Sequence, residues 1–436
     1  MIDDIPNLPQ TATKLSEFIF KDLIGADNIS HQPLQLRNAY AFYWGHLSAF
    51  SDRVALGLEG RNHERKVFER GVDPDVDDPT KIHRHSPRSQ AWPSVQEFEA
   101  YANDVEEGLS QKIIQEGVNR EVLLALEHAA MHHETLMYMV MQTEKRQEHT
   151  AHLHPFADFA SPPTTESPMP EDFRVYIEAT QVHVGASPEE AAAGFVWDNE
   201  LPRHMVSVEP FECSIYPTTN KEFNEFVRDG GYSHSEFWHD NEINNKVVAS
   251  GGAGAWDWIQ RENIERPLFW ESNGIRTLND GEVSYEYAGD WPAVVSLFEA
   301  AAYCKWRGNN ARIMTEPEYH SLFSDEEDYN KVARLGNNNW RYQGVVPVGI
   351  MNDASGKGVY DLVGNGWEWT STVFNGFEGF SPMYDYPEYS ADFFDGKHFV
   401  LKGASPFTGT IAQRMSFRNW YQANYPYPIA KFRVVN

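Results

Sequence analysis

Glu127-His128-Ala129-Ala130-Met131-His132-His133-Glu134 sets two imidazoles four residues apart. On a helix, positions i and i+4 lie one above the other on a single face. That spacing lets His128 and His132 converge on one metal ion. His133 and Glu134 point elsewhere, and Glu134 could serve as an outer acceptor that orients a ligating imidazole. Two ligands do not complete a site, so a third must come from another segment. The best donor is His46, in Tyr43-Trp44-Gly45-His46. Three neutral histidines suit zinc, copper, nickel or ferrous iron, so ligand type leaves the metal open. Such a site keeps free positions, for water on zinc or for dioxygen and substrate on iron.

The elements that must hold these residues are helical. No helix breaker stands between Glu121 and Thr143, and apolar residues recur there at three- and four-residue steps, the period of an amphipathic helix. Three more segments precede it: Thr11–Ile24, with Thr11 or Thr13 as cap, Leu34–Leu58, which carries His46, and a helix from Pro93 to about Glu116. Ser94 and Glu97 open the last of these with the spacing of a capping box. Between them, 61–89 reads as a polar loop with an acidic run at Asp73, Asp75, Asp77 and Asp78. Bundles build metal sites from side chains on facing helices, which suits His46 opposite His128 and His132. Residues 1–150 are therefore expected to form a helical bundle. Residues 151–172, with four prolines in ten residues from Ser161 to Pro170, read as an extended linker. Residues 173–436 carry short alternating strands at Val175–Ile177 and Met205–Glu209 and helices at Thr219–Asp229 and Ser296–Gly308. Long aromatic loops follow, with no tandem repeat.

Composition bounds the function. A 436-residue chain has room for two or three cores. Its formal charge of −28 argues against nucleic acid or an anionic membrane as partner, since both need a basic surface. Cys213 and Cys304 are the two cysteines, too few for a disulfide scaffold, and a reducing cytoplasm is the expected setting. The N-terminus lacks the basic and apolar regions of a signal peptide. No apolar run reaches the roughly 18–20 residues that span a bilayer.

Four ordered motifs then carry a resemblance. They are Thr218-Thr-Asn-Lys-Glu-Phe223, Ala302-Tyr-Cys-Lys-Trp306, Arg312-Ile-Met-Thr-Glu-Pro-Glu-Tyr319, and Gly358 to Thr370 with Gly364-Asn365-Gly366-Trp367-Glu368-Trp369. Together they resemble the formylglycine-generating-enzyme (sulfatase-modifying factor) fold, a relative of C-type lectins. Trp367 and Trp369 are expected in its core, and Asn365 at a turn. The resemblance implies an α+β chain: an N-terminal DinB-like four-helix bundle followed by this fold, with little regular structure. Joined to a His-x-x-x-His-x-Glu helix, it resembles the ergothioneine-pathway sulfoxide synthases. The segments from Tyr389 to Gly403 and from Ser416 to Tyr427 look most like the branch that includes the fungal enzymes.

That family implies Fe(II) held by His46, His128 and His132, with dioxygen as oxidant and hercynine as acceptor. The product it implies is a sulfoxide with a new C–S bond at imidazole C2. It also implies substrate contacts from Asn419 and Trp420, and a proton-donating tyrosine for which Tyr384 and Tyr386 are the candidates. Arg84 and Arg88 could bind a substrate carboxylate as bidentate forks. Some positions depart from the pattern. Met131 stands where mycobacterial-type enzymes have Gln, and Tyr421 and Tyr425 replace an Asp and an Arg that grip γ-glutamylcysteine. Gly403-Ala404-Ser405-Pro406 replaces the usual Gly-Gly-Ser-Trp. The lost clamp favours cysteine or another small thiol or selenol as donor. A selenosugar donor, an ovothiol-type reaction on histidine, and a DinB-type metal-dependent thiol S-transferase are the alternative readings. The two cysteines do not lie where copper-dependent formylglycine chemistry needs a thiol pair. Oligomeric state is not specified by any motif.

Overall fold

The computed structural model describes residues 7–69, 72–73, 83–84, 92–143, 173–278 and 282–436. The linker assigned to 151–172 lies outside them. The chain divides into two compact units, the first helical and the second mixed.

The helical unit is built from α1 (Leu8–Glu17), α2 (Tyr40–Ser51), α3 (Asn62–Phe68), α4 (Val95–Glu116) and α5 (Arg120–Met141). Both α1 and α2 continue as π-helical turns, Phe18–Ile24 and Asp52–Leu56. Each of α1 and α2 packs against both α4 and α5. Every residue of α2 is buried, as expected of a helix that is apolar all round. Trp44 fixes it in the core, stacked between Phe20 (centroids 4.9 Å apart) and Phe98 (5.3 Å). The capping box of Ser94 and Glu97 is formed, and Asn119 caps α5 by accepting from the Val122 amide.

Three boundaries differ from expectation. α1 starts at Leu8 rather than at a threonine cap, because Pro9 in its first turn gives up no hydrogen bond there. α2 starts at Tyr40, where the Tyr40 and Ala41 amides are satisfied by the His31 and Ile29 carbonyls of the preceding loop. The polar stretch after Arg61 contains α3 and the paired dipeptides Val72–Asp73 and His83–Arg84. The unit also includes Ala192–Phe195 and Gly409–Ala412 from later in the chain. Arg120 lies 5.0 Å over the Phe195 ring.

Among the described residues the second unit holds two four-stranded sheets, a hairpin and the short pair Gly274–Arg276 with Glu282–Ser284. One sheet runs β1 (Arg174–Ile177), β4 (Phe211–Ser214), β10 (Val434–Val435), β5 (Arg312–Ile313), all antiparallel. In the other, β6 (Gly366–Val373) pairs antiparallel with β7 (His398–Ala404) and parallel with β9 (Ala430–Lys431), while β8 (Asn419–Gln422) lines the far side of β7. The hairpin is β2 (Thr180–Val184) with β3 (His204–Val208). Helices α6 (Asn220–Arg228), α7 (Leu297–Arg307) and α8 (Glu316–Ser321) each open on a capping box. Two of these boxes, Thr219/Glu222 and Thr315/Glu318, are residues of the sequence motifs, so those motifs encode helix starts. The Gly-Asn-Gly-Trp-Glu-Trp motif is equally structural. Trp367 and Trp369 are 1% and 0% exposed. Asn365 sits at φ +59° and its side chain ties Val346, Asp361 and Asn337 together. Buried Glu368 receives Lys431 and Arg433.

Candidate metal centre

His46 projects from α2, and His128 and His132 from α5. Their Nε2 atoms meet: His132 lies 3.1 Å from His46 and 3.2 Å from His128. All three possible ligand atoms fall within 4.8 Å of one another. With metal–nitrogen bonds of about 2.0–2.1 Å, adjacent octahedral positions put two nitrogens about 3.0 Å apart, and tetrahedral ones about 3.4 Å. Both separations from His132 fall between these values and the third lies within 4.8 Å, so the three donors can share one ion.

The proton positions agree. His46 Nδ1 stands 2.6 Å from the Phe68 carbonyl oxygen. A carbonyl only accepts, so Nδ1 carries the hydrogen and a neutral His46 turns the Nε2 lone pair toward its neighbours. Burial, reinforced by the neighbouring imidazoles, holds His128 and His132 well below the ordinary imidazole pKa. Both are therefore neutral near pH 7, the form in which an imidazole can bind a metal. Aromatic rings pack against all three imidazoles. Phe50 stacks on His128 (3.5 Å, 9°) and Phe42 on His46 (5.3 Å, 19°), while Tyr43 lies 5.8 Å from His132. Phe42, His46 and Phe50 are four apart along α2, a spacing visible in the sequence. The Phe68 carbonyl is not, because backbone acceptors leave no mark in residue type. His133 faces away and bonds Ser16 Oγ at 2.7 Å.

Among the remaining assigned residues, half-buried Met131 shares α5 with the histidines. Arg84 lies on a two-residue strand, and its side chain and Arg88 fall outside the described residues. The others belong to the second unit. Asn419, Trp420 and Tyr421 lie on β8 opposite Leu401, Val400 and Phe399. Trp420 stacks on Phe374 (4.2 Å, 7°) and meets Tyr389 edge-on at 5.0 Å. Asn419 Oδ1 accepts from the Trp420 amide. Tyr421 stacks on Tyr425 at 5.3 Å, and Tyr425 is buried. Tyr384 is 97% exposed, whereas half-buried Tyr386 packs against Tyr389 at 5.6 Å.

The family model for the sulfatase-modifying factor enzyme 1-like domain matches residues 159–436. The chain belongs to this family. It is similar to ergothioneine biosynthesis protein 1 of Neurospora crassa, 29% identical over 499 aligned positions that take in 96% of this chain and 56% of that protein. The Schizosaccharomyces pombe protein of the same name is 28% identical over 455 positions, covering 96% and 54%. Hercynine oxygenase of Mycobacterium tuberculosis is 34% identical over 246 positions, covering 53% and 52%. The chain spans about half the length of the curated relatives it matches.

Proposed function

We propose that this protein is a non-haem Fe(II), O2-dependent sulfoxide synthase that joins hercynine to a small thiol, with cysteine favoured over γ-glutamylcysteine. The observation that carries the reading is the convergence of the three Nε2 atoms of His46, His128 and His132. The names of the relatives, ergothioneine biosynthesis protein and hercynine oxygenase, support the substrate class. Ferrous iron held by these imidazoles would supply dioxygen activation and a common template for the two substrates. Overall, the imidazole C2–H and the thiol S–H are lost, and a C–S bond and an S=O bond form. Dioxygen takes up four electrons, one oxygen entering the sulfoxide and the other leaving as water.

The chain's own residues divide the remaining work. Trp420, with Phe374 and Tyr389 beside it, offers aromatic faces to the trimethylammonium group. Asn419 is assigned to hercynine and Met131 to the pocket beside the third histidine. Tyr384 and Tyr386 are the phenols assigned to proton delivery, and Arg84 and Arg88 the forks for a carboxylate. The neutral pair Tyr421 and Tyr425 leaves no charged clamp for a γ-glutamyl group. A cytoplasmic setting belongs to the same reading. Among the described residues no helix is long and apolar enough to cross a membrane.

The test is turnover of Fe(II)-loaded protein in air with hercynine and, in parallel, cysteine, γ-glutamylcysteine and a selenosugar, read by mass spectrometry and oxygen uptake. The cysteine-derived sulfoxide should dominate. Faster turnover of γ-glutamylcysteine would overturn the donor assignment. Thiol transfer without oxygen uptake would instead identify a metal-dependent S-transferase.

A further inference from the structure

Within the second unit, the β2–β3 hairpin and α8 border a cavity of about 640 Å3, inside the size range of small-molecule sites. His320, on the last turn of α8, lines this cavity and is only 3% exposed. Neither of its ring nitrogens has a hydrogen-bond partner among the described residues. Buried polar atoms nearly always have one, and a neutral imidazole has both a donor and an acceptor to satisfy.

The charges around His320 say what would answer it. Beyond its burial, the charged groups acting on it include the cations Lys402, Arg418 and Arg203. Lys402 and Arg418 are already engaged by Glu316 and do not line the cavity. Arg203 does line it. Its ion pair with Glu190 is long, at 3.7 Å, and a third of its side chain is exposed, so the guanidinium can exchange that partner for another carboxylate. Among the described residues the lining holds four carboxylates (Glu178, Glu190, Asp325, Glu326) against Arg203 and Lys357. That balance disfavours a polyanion. A simple cation would leave Arg203 unanswered.

We propose that this cavity binds a small zwitterion of the amino-acid or short-peptide class, its carboxylate received by His320 and Arg203 and its ammonium balanced by the acidic lining. Its lining shares no residue with the candidate metal centre, and its test does not depend on turnover. Glycylglycine, acetate and glycinamide are the probes, since they carry both charges, the negative one alone and the positive one alone. The 436-residue chain is labelled with 13C at histidine Cε1, and the His320 signal is identified by its loss in His320→Gln. Glycylglycine should move that signal saturably, with acetate and glycinamide at least about tenfold weaker. Arg203→Gln should weaken glycylglycine at least about fivefold. Should His320→Gln fail to fold, calorimetric titration of Arg203→Gln carries the test without any assignment. A signal that does not move, an equal response to acetate, or unchanged affinity in Arg203→Gln would each overturn the proposal.

Discussion

At His46 a backbone oxygen decides what a side chain can do. Because Nδ1 gives its hydrogen to the Phe68 carbonyl, Nε2 is left as a donor of electrons, and the same helix face supplies the rings that keep it oriented. His128 and His133 are both buried yet face different partners, and substitution should separate their roles. His128→Ala is expected to lower iron retained after dialysis by more than about tenfold, as loss of a ligand should exceed loss of an outer contact. His133→Ala should leave metal content unchanged and cost about 1–3 kcal/mol of stability in urea titrations, by stranding Ser16 and opening a small void. His133 also sets a pH dependence. Burial lowers its pKa to about 3, against 6.5 ordinarily. Above pH 6.5 neither state is protonated and its contribution is intact. As pH falls from 6.5 toward 3 the unfolded chain alone gains the proton, so stability should fall by about 1.4 kcal/mol per unit from this group. Chemical denaturation across that range would check it, with the slope reduced in His133→Ala.

Between elements, Gly45 governs how closely α3 lies against α2. A Cβ built at Gly45 would stand 2.5 Å from Phe68 Cδ1, so the absence of a side chain admits the ring whose own carbonyl orients His46. On an exposed helix, Gly→Ala stabilises by up to about 1 kcal/mol. Here Gly45→Ala should instead destabilise by about 1–3 kcal/mol through overpacking, and weaken metal affinity by about tenfold or more as the Phe68 carbonyl shifts. A rise in melting temperature would refute this account of the motif. The helices themselves were readable: α5 and α4 run where periodicity and the Ser94–Glu97 box place them. The start of α2 was not, since its first amides are held by loop carbonyls that no residue type announces. The same limit applies to α3, a short helix in a stretch whose polarity suggests a loop.

For the whole molecule, two compact units imply that metal should stabilise one of them alone. Iron at a hundred times its dissociation constant adds about 2.7 kcal/mol to a state that binds it. Scanning calorimetry should show the transition of the helical unit moving upward and that of the second unit in place; a shift confined to the second unit would locate the metal elsewhere. The charge of −28 disfavours polyanions at the surface as a whole, and the carboxylates that line the cavity beside His320 carry the same balance into a local pocket.

Residue types and spacing by themselves determined the helical character of the first unit, the pairing of His128 with His132, and the helix caps and buried tryptophans of the second. All of these follow from local periodicity, which a linear chain carries in full. The meeting of His46 with that pair across 82 residues, the tautomer imposed by Phe68, the ring of Phe50 on His128 and the unanswered imidazole of His320 were decided only by tertiary packing. Each depends on which surfaces the chain brings face to face, and on backbone atoms that every residue shares.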